Sequence, residues 1–176
     1  MRAFIFYSME HTVIPKEELN VYRSICKDFK VVFDVGCRDD LSMFEIHPLC
    51  EYHFFEPNPG FLSPLFGKMQ KINKHQIILN EFGLADVAEN KIYYPITQSF
   101  VCLEWDCRDL GMRFPVVTLD WYAQKKNIEH IDFLKIDTEG YDYKVLLGGV
   151  ETINKTDYIQ FEYWDGVKKF VDLLTD

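Results

Sequence analysis

A chain of 176 residues with 48% hydrophobic and 16% aromatic content can bury the core of one domain and is not a disordered tail. The net charge of −9, with scattered rather than clustered Lys and Arg, disfavours a nucleic-acid partner, which needs a basic face. The 5 cysteines lack regular spacing, no apolar run reaches the ~20 residues of a membrane span, and the apolar start is too short for a signal peptide, so a reduced, cytoplasmic protein is expected.

Residues 1–29 read as a lead-in and a helix belonging to the same domain as the rest. That helix starts at Pro15, a residue suited to a first turn, and runs to about Asp28 with Leu19, Tyr22, Ile25 and Cys26 on one face. A strand over 30–35, a helix over 40–49 and a second strand over 51–56 follow. Pro57-Asn58-Pro59-Gly60 is a turn, and a helix covers 61–72. Residues 76–79 are a third strand, and 91–94 and 116–119 are short β-like pieces. Between those pieces, 95–114 shows no clear period, which predicts a substrate loop or lid. A short helix spans 120–126, a fourth main strand 131–136, and a helix 141–147 stopped by Gly148-Gly149. The fifth strand is 158–161 and the last helix 165–174. Such alternation predicts an α/β domain over 30–176, a mostly parallel sheet with right-handed crossovers.

Three apolar strands run into carboxylates: Asp34, Glu56, and Asp137 with Glu139. Strands of a parallel sheet are buried on both faces, so a carboxylate there is costly unless it sits at the strand end facing a ligand. One cleft at the carboxyl edge of the sheet is therefore expected. The first turn, Asp34-Val35-Gly36-Cys37-Arg38-Asp39-Asp40, has one glycine and no G-x-G-x-x-G, which argues against a nicotinamide dinucleotide. An acid beside a pyrophosphate repels it. The same acid suits a cation such as the amino group or sulfonium of S-adenosylmethionine. Gly36 lets the backbone pass close to such a ligand, and Glu56 is placed for two ribose hydroxyls. Helix capping competes as a role for Asp34 and Glu56, but Asp39 or Asp40 stands nearer the following helix.

Five segments together resemble the FkbM family of S-adenosylmethionine-dependent methyltransferases over residues 30–165. They are Asp34-Val35-Gly36, Phe55-Glu56-Pro57-Asn58-Pro59, Gly83-Leu84-Ala85-Asp86, Val117-Thr118-Leu119-Asp120, and Leu134-Lys135-Ile136-Asp137-Thr138-Glu139-Gly140 with Val145-Leu146-Leu147-Gly148-Gly149 behind it. The last is the family's most specific motif. The resemblance implies a Rossmann-like class I methyltransferase fold with S-adenosylmethionine as cofactor. It implies that Asp34 and Gly36 line the methionine part, that Glu56 holds the ribose and that Asp86 lies near the adenine, with Cys37, Arg38, Pro57 and Asn58 also among the cofactor-binding residues. Asp137 and Glu139 would face the reacting centre. The implied reaction is methylation of a hydroxyl, on a sugar, glycan or other small-molecule acceptor. Two departures stand out. Cys37-Arg38-Asp39-Asp40 replaces the family's A-N-x-G, so that either the loop sits further from the cofactor or Arg38 contacts its carboxylate, and Asp142 replaces a Glu. Such folds also continue into an antiparallel hairpin after the last helix, whereas this sequence stops at Asp176. The hairpin is missing or shortened, or a partner or further domain covers the edge, or the chain is a piece of a longer protein.

Methyl transfer is an in-line displacement, and a base near the hydroxyl assists it. Asp137 is the first candidate, Glu139 the second and Glu162 the third. Asp137 and Glu162 would also be the ligands of a magnesium ion, a less favoured alternative to metal-free catalysis. His47, His53, His75 and His130 lack motif context and are expected to be ordinary surface or edge residues. Trp105, Tyr163 and Trp164 are candidate platforms for a sugar ring, or core aromatics. A binding or scaffold domain that kept the fold without turnover is the alternative function.

Overall fold

The computed structural model of the chain describes residues 3–8, 15–72, 76–94, 98–101, 111–164 and 166–175. In chain order the elements are β1 (Ala3–Ser8), α1 (Pro15–Ile25), β2 (Val31–Val35), α2 (Ser42–Ile46), β3 (Glu51–Phe55), α3 (Pro59–Met69) and β4 (Ile77–Asn80). Then come β5 (Gly83–Leu84), β6 (Glu89–Tyr93), β7 (Met112–Val117), α4 (Leu119–Lys126), β8 (Ile131–Ile136), α5 (Asp142–Leu147), α6 (Val150–Ile153), β9 (Thr156–Tyr163) and α7 (Val167–Thr175).

The main sheet has strand order β1-β9-β8-β2-β3-β4, and every neighbouring pair is parallel. The chain runs outward from β2 to β3 and β4, then returns to β8 and β9 on the other side. The order therefore reverses between β2 and β8, and ligands of open α/β sheets bind at such a reversal. This is the expected Rossmann-like α/β architecture.

Alternating side chains give the sheet two cores. Val32, Tyr52, Phe54 and Phe133 pack with Tyr22 of α1, Phe44 of α2 and Leu65 of α3. Phe33, Val35, Leu134, Ile136 and Phe161 pack on the other face with Tyr122 of α4, Val145 of α5 and Phe170 of α7. Phe161 and Phe170 stack with centroids 4.7 Å apart. Each such ring contributes about 1.5–3 kcal/mol by leaving water. No helix among the described residues is long and apolar enough to cross a membrane.

Several expectations are corrected. The sheet edge beside β9 is covered by the chain's own β1, paired in register from Ala3 with Tyr158 to Ser8 with Tyr163. The weakly patterned lead-in thus contains a strand, made of the β-favouring Phe4, Ile5, Phe6 and Tyr7. The region 95–114 is not all loop, because β7 begins at Met112 and pairs antiparallel with β6 and parallel with β5. Residues 118–119 cap and start α4 rather than extend a strand; Thr118 Oγ1 accepts from the Trp121 N–H at 3.1 Å. The helix expected over 40–49 is only Ser42–Ile46. Gly148-Gly149 closes α5 after Leu147 as expected and leads directly into α6, and a Cβ at Gly148 would overlap the Ala85 carbonyl. Cys102, Trp105, Cys107 and His75 lie outside the described residues.

Candidate active site

Three strand ends are stitched together at the carboxyl edge. Gly36 N–H donates to the Phe55 carbonyl at 2.9 Å, and Asp137 N–H donates to the Val35 carbonyl at 2.9 Å. Gly36 adopts φ +83°, and a Cβ there would overlap the Asp137 carbonyl oxygen. Only glycine lets β2 turn away this close to β8. Two cavities meet at this crossing and share Gly36, Arg38 and Asp137. The larger, about 310 Å³, is lined by Tyr22, Asp34, Cys37 and Lys135, among others. The narrower is walled by Phe55, Phe61 and Leu84, with Glu56, Pro57 and Glu139 at its polar side.

Asp34 is 5% exposed, and its Oδ1 has no hydrogen-bond partner among the described residues. The nearest cation, Lys135 Nζ, is 3.6 Å away, beyond hydrogen-bond length. Burial pushes the Asp34 carboxyl up to about 6, and Lys135 pulls it part of the way back. Glu56, equally buried, accepts from the Arg38 N–H at 3.1 Å and the Asn58 N–H at 2.7 Å. Burial raises it to about 7 despite those bonds.

Arg38 and Glu139 face each other with left-handed backbones, both at φ 53°. Such conformations cost a non-glycine residue about 1–3 kcal/mol and gather at functional sites. Arg38 Nη1 lies 3.5 Å from Glu139 Oε1, while its guanidinium donates to Gln98 and sits 5.0 Å from the Phe61 ring centroid. Burial first, then repulsion from Asp137, raises the Glu139 carboxyl above the ordinary glutamate range. Asp137 Oδ2 instead accepts from Lys135 Nζ at 3.1 Å. The described part of the expected lid lies along the cleft, with Ser99 Oγ donating to the Thr138 carbonyl at 2.8 Å.

Other predicted site residues are placed differently. Asp86 pairs with Lys144 at 2.7 Å and lines neither cavity. The Asn58 side chain caps α3 by accepting from the Gly60 N–H at 2.9 Å. Cys37 is buried in the larger cavity, with its thiol pushed well up by burial. Glu162 lines neither cavity and accepts from Trp164 Nε1 at 3.2 Å; the Trp164 indole rests on Gly140. Asp142, buried, takes the Thr138 hydroxyl at 2.6 Å and the Glu162 N–H at 3.0 Å, tying the loop after β8 to β9. Asp40 bonds both Ser42 N–H and Oγ, the capping duty that leaves Asp34 unused for it.

His53 departs from expectation, whereas His130 is exposed as expected. His53 is 1% exposed and lies between Tyr122 OH at 2.7 Å and Glu51 Oε1 at 2.8 Å. His130 meets Asp157 at 3.1 Å and Asp132 at 3.7 Å, near the amino ends of β8 and β9, the edge opposite the cleft. Lys135 was missed as a site residue. Its signal was a lysine within the otherwise apolar run Phe133-Leu134-Lys135-Ile136.

The sequence matches the model of the methyltransferase FkbM domain over residues 34–172. The chain belongs to the FkbM methyltransferase family. A relative of this FkbM domain, the 2-O-methyltransferase NoeI of Sinorhizobium fredii, is 25% identical over 176 residues, 86% of this chain and 72% of that protein. Among solved structures, methyltransferase FkbM from Methylobacillus flagellatus KT aligns with TM-score 0.49 and 16% identity over 71% of this chain. The precorrin-6y C5,15-methyltransferase from Geobacter metallireducens GS-15 aligns with TM-score 0.44 and 12% identity over 86% of this chain. The FkbM domain described here spans 30% of the first of these solved chains and 62% of the second.

A pH dependence follows for the FkbM domain without ligand. Glu56 and Asp142 are raised to about 7 and Asp34 to about 6, all first by burial. A raised folded value favours the protonated acid, so the associated stability is present at low pH and lost as pH rises through 6–7. His53 is lowered by burial, so its contribution rises with pH up to the unfolded histidine value, about 6.5, and is constant above it. Above that value only the acids act. Chemical denaturation should show stability falling between pH 6.5 and 8 by an amount on the order of 2 kcal/mol. A flat or rising profile would contradict the burial of these carboxyls.

Proposed function

We propose that the chain is an S-adenosylmethionine-dependent O-methyltransferase whose acceptor is a hydroxyl of a carbohydrate. The observation that carries this is Asp34 Oδ1, a buried acceptor without a hydrogen bond among the described residues, in a cavity that joins the Glu56 cleft at Gly36. A buried, unsatisfied carboxylate oxygen destabilises a fold unless a donor reaches it. An α-ammonium is such a donor, so the residues fit the amino-acid end of the cofactor. Each Glu56 oxygen holds one backbone N–H and retains a lone pair for a ribose hydroxyl. Phe55, Phe61 and Leu84 offer an apolar slot for a base.

When bound, the cofactor supplies the activated methyl group and a thioether leaving group. The protein's part is alignment and proton removal. Asp34 fixes the amino-acid end, Glu56 the ribose. Glu139 accepts the proton of the acceptor hydroxyl, in preference to Asp137, whose Oδ2 is already engaged by Lys135. One observation favours a sugar ring and another a hydroxyl. The Trp164 ring stands beside Gly140, next to Glu139, and is 38% exposed. The relative in Sinorhizobium fredii is named a 2-O-methyltransferase.

Calorimetric titration with S-adenosylhomocysteine tests the donor. Single-site micromolar binding is expected, and Asp34→Asn should weaken it at least tenfold, the effect of about one charge-assisted hydrogen bond. The variant should melt no lower than the parent chain, because a buried carboxylate is removed. Unchanged affinity in Asp34→Asn would reject this placement. A folded parent chain that binds nothing would favour a domain that kept the fold without turnover.

A further inference from the structure

Asp34, Lys135 and Gln160 are register partners on three adjacent strands. Asp34 of β2 pairs with Lys135 of β8, and Lys135 pairs with Gln160 of β9. All three line the larger cavity. Asp34 and Gln160 are 5% and 4% exposed, and the Lys135 side chain is 15% exposed. The same sheet face is otherwise apolar, with Val32, Tyr52, Phe54 and Phe133 beside the row. A row of this kind weakens a buried sheet, since hydrophobic replacements of buried ion pairs are often neutral or stabilising.

Lys135 Nζ lies between two carboxylates, 3.1 Å from Asp137 Oδ2 and 3.6 Å from Asp34 Oδ1. The shorter contact goes to Asp137, so Lys135 neutralises the pair without using the hydrogen-bonding capacity of Asp34 Oδ1. Asp40 and Asp137 add negative potential at Asp34. Cys37 and Tyr22 also face this cavity with raised, neutral side chains, and Arg38, its other cation, is paired with Glu139.

We propose that Lys135 is a positioning residue: the resident counter-cation of a cross-strand polar row, which holds Asp34 ionised and leaves its Oδ1 to receive the α-ammonium of the donor. The inference rests on the proposed donor. It makes Lys135 responsible for the pH at which the chain becomes competent to bind. The site then contains two cations for two carboxylates, one built in and one delivered with the ligand.

The test uses the full chain, with Lys135→Met, Lys135→Arg and Asp34→Asn beside the parent. Carbon-13 NMR titration of the aspartate carboxyls, without ligand, reads the Asp34 midpoint, with Asp34→Asn assigning the signal. Lys135→Met should move that midpoint upward by about one unit or more, and Lys135→Arg should hold it near the parent value. S-adenosylhomocysteine affinity is then measured from pH 5.5 to 8.5. Affinity in the parent should rise as Asp34 ionises near pH 6; in Lys135→Met it should be about threefold or more lower at pH 6.5 and recover towards pH 8.5. An unmoved Asp34 midpoint in Lys135→Met overturns the proposal, as does an affinity loss equal at every pH, the mark of a merely structural residue. If the parent chain binds no S-adenosylhomocysteine, the donor assignment fails, and the ligand-free titration still decides the role of Lys135.

Discussion

Glu139→Gln is expected to slow methyl transfer about 10²–10⁴-fold, the usual contribution of a positioned general base, with S-adenosylhomocysteine affinity unchanged. Glutamine keeps the shape and its carbonyl can still meet Arg38, so what is lost is the ability to take a proton. The site favours Glu139 for this task in three ways. Burial and the neighbouring Asp137 raise its carboxyl, the left-handed backbone at φ 53° aims it across the cleft, and Arg38 at 3.5 Å limits its motion. The measurement is the initial rate of labelled methyl transfer, at saturating donor, to an acceptor that the parent chain modifies, with Asp137→Asn alongside. Full activity in Glu139→Gln together with a dead Asp137→Asn would return the base to Asp137.

Gly36→Ala should cost about 3 kcal/mol or more and abolish S-adenosylhomocysteine binding. Two independent penalties act at this position. The backbone has φ +83°, and the new methyl group would overlap the Asp137 carbonyl. That carbonyl cannot retreat freely, because the same residue's N–H bonds the Val35 carbonyl at 2.9 Å. Gly166 separates the two penalties, having φ +53° and open space, with nothing within 4 Å of where a Cβ would stand. Gly166→Ala should therefore cost only about 1 kcal/mol. For a domain of this size, each kcal/mol lowers the melting temperature by about 2–4 °C. If both variants melt at the same temperature, β2 and β8 do not cross as closely as described.

Much of the cleft was legible because its chemistry sits at strand ends, where a carboxylate after an apolar run announces itself. Asp34, Glu56, Asp137 and Glu139 were found this way, and Gly36 because a lone glycine after such a run marks a close crossing. What sequence could not reveal is pairing between distant strands. The register that sets Lys135 beside Asp34 is not local, so the lysine read as part of a motif rather than as half of an ion pair. His53 was expected near the surface because nothing local shows that β3 is an interior strand and that Tyr122 waits on a helix far along the chain. Asp86 was read from a family pattern alone; it follows β5, and its pairing with Lys144 is again a contact between distant parts of the chain.

The pairing of β1 with β9 is distant in sequence, joining Ala3 to Tyr158, so β1 finds its partner only once β9 is in place. Until then the β9 edge of the sheet cannot close, however well the interior strands have formed. Non-local pairings of this kind slow folding and leave unpaired strand edges open to other chains. A partly folded chain that lacks this pairing exposes the β9 edge to other chains, so the non-local contact is also where self-association would begin.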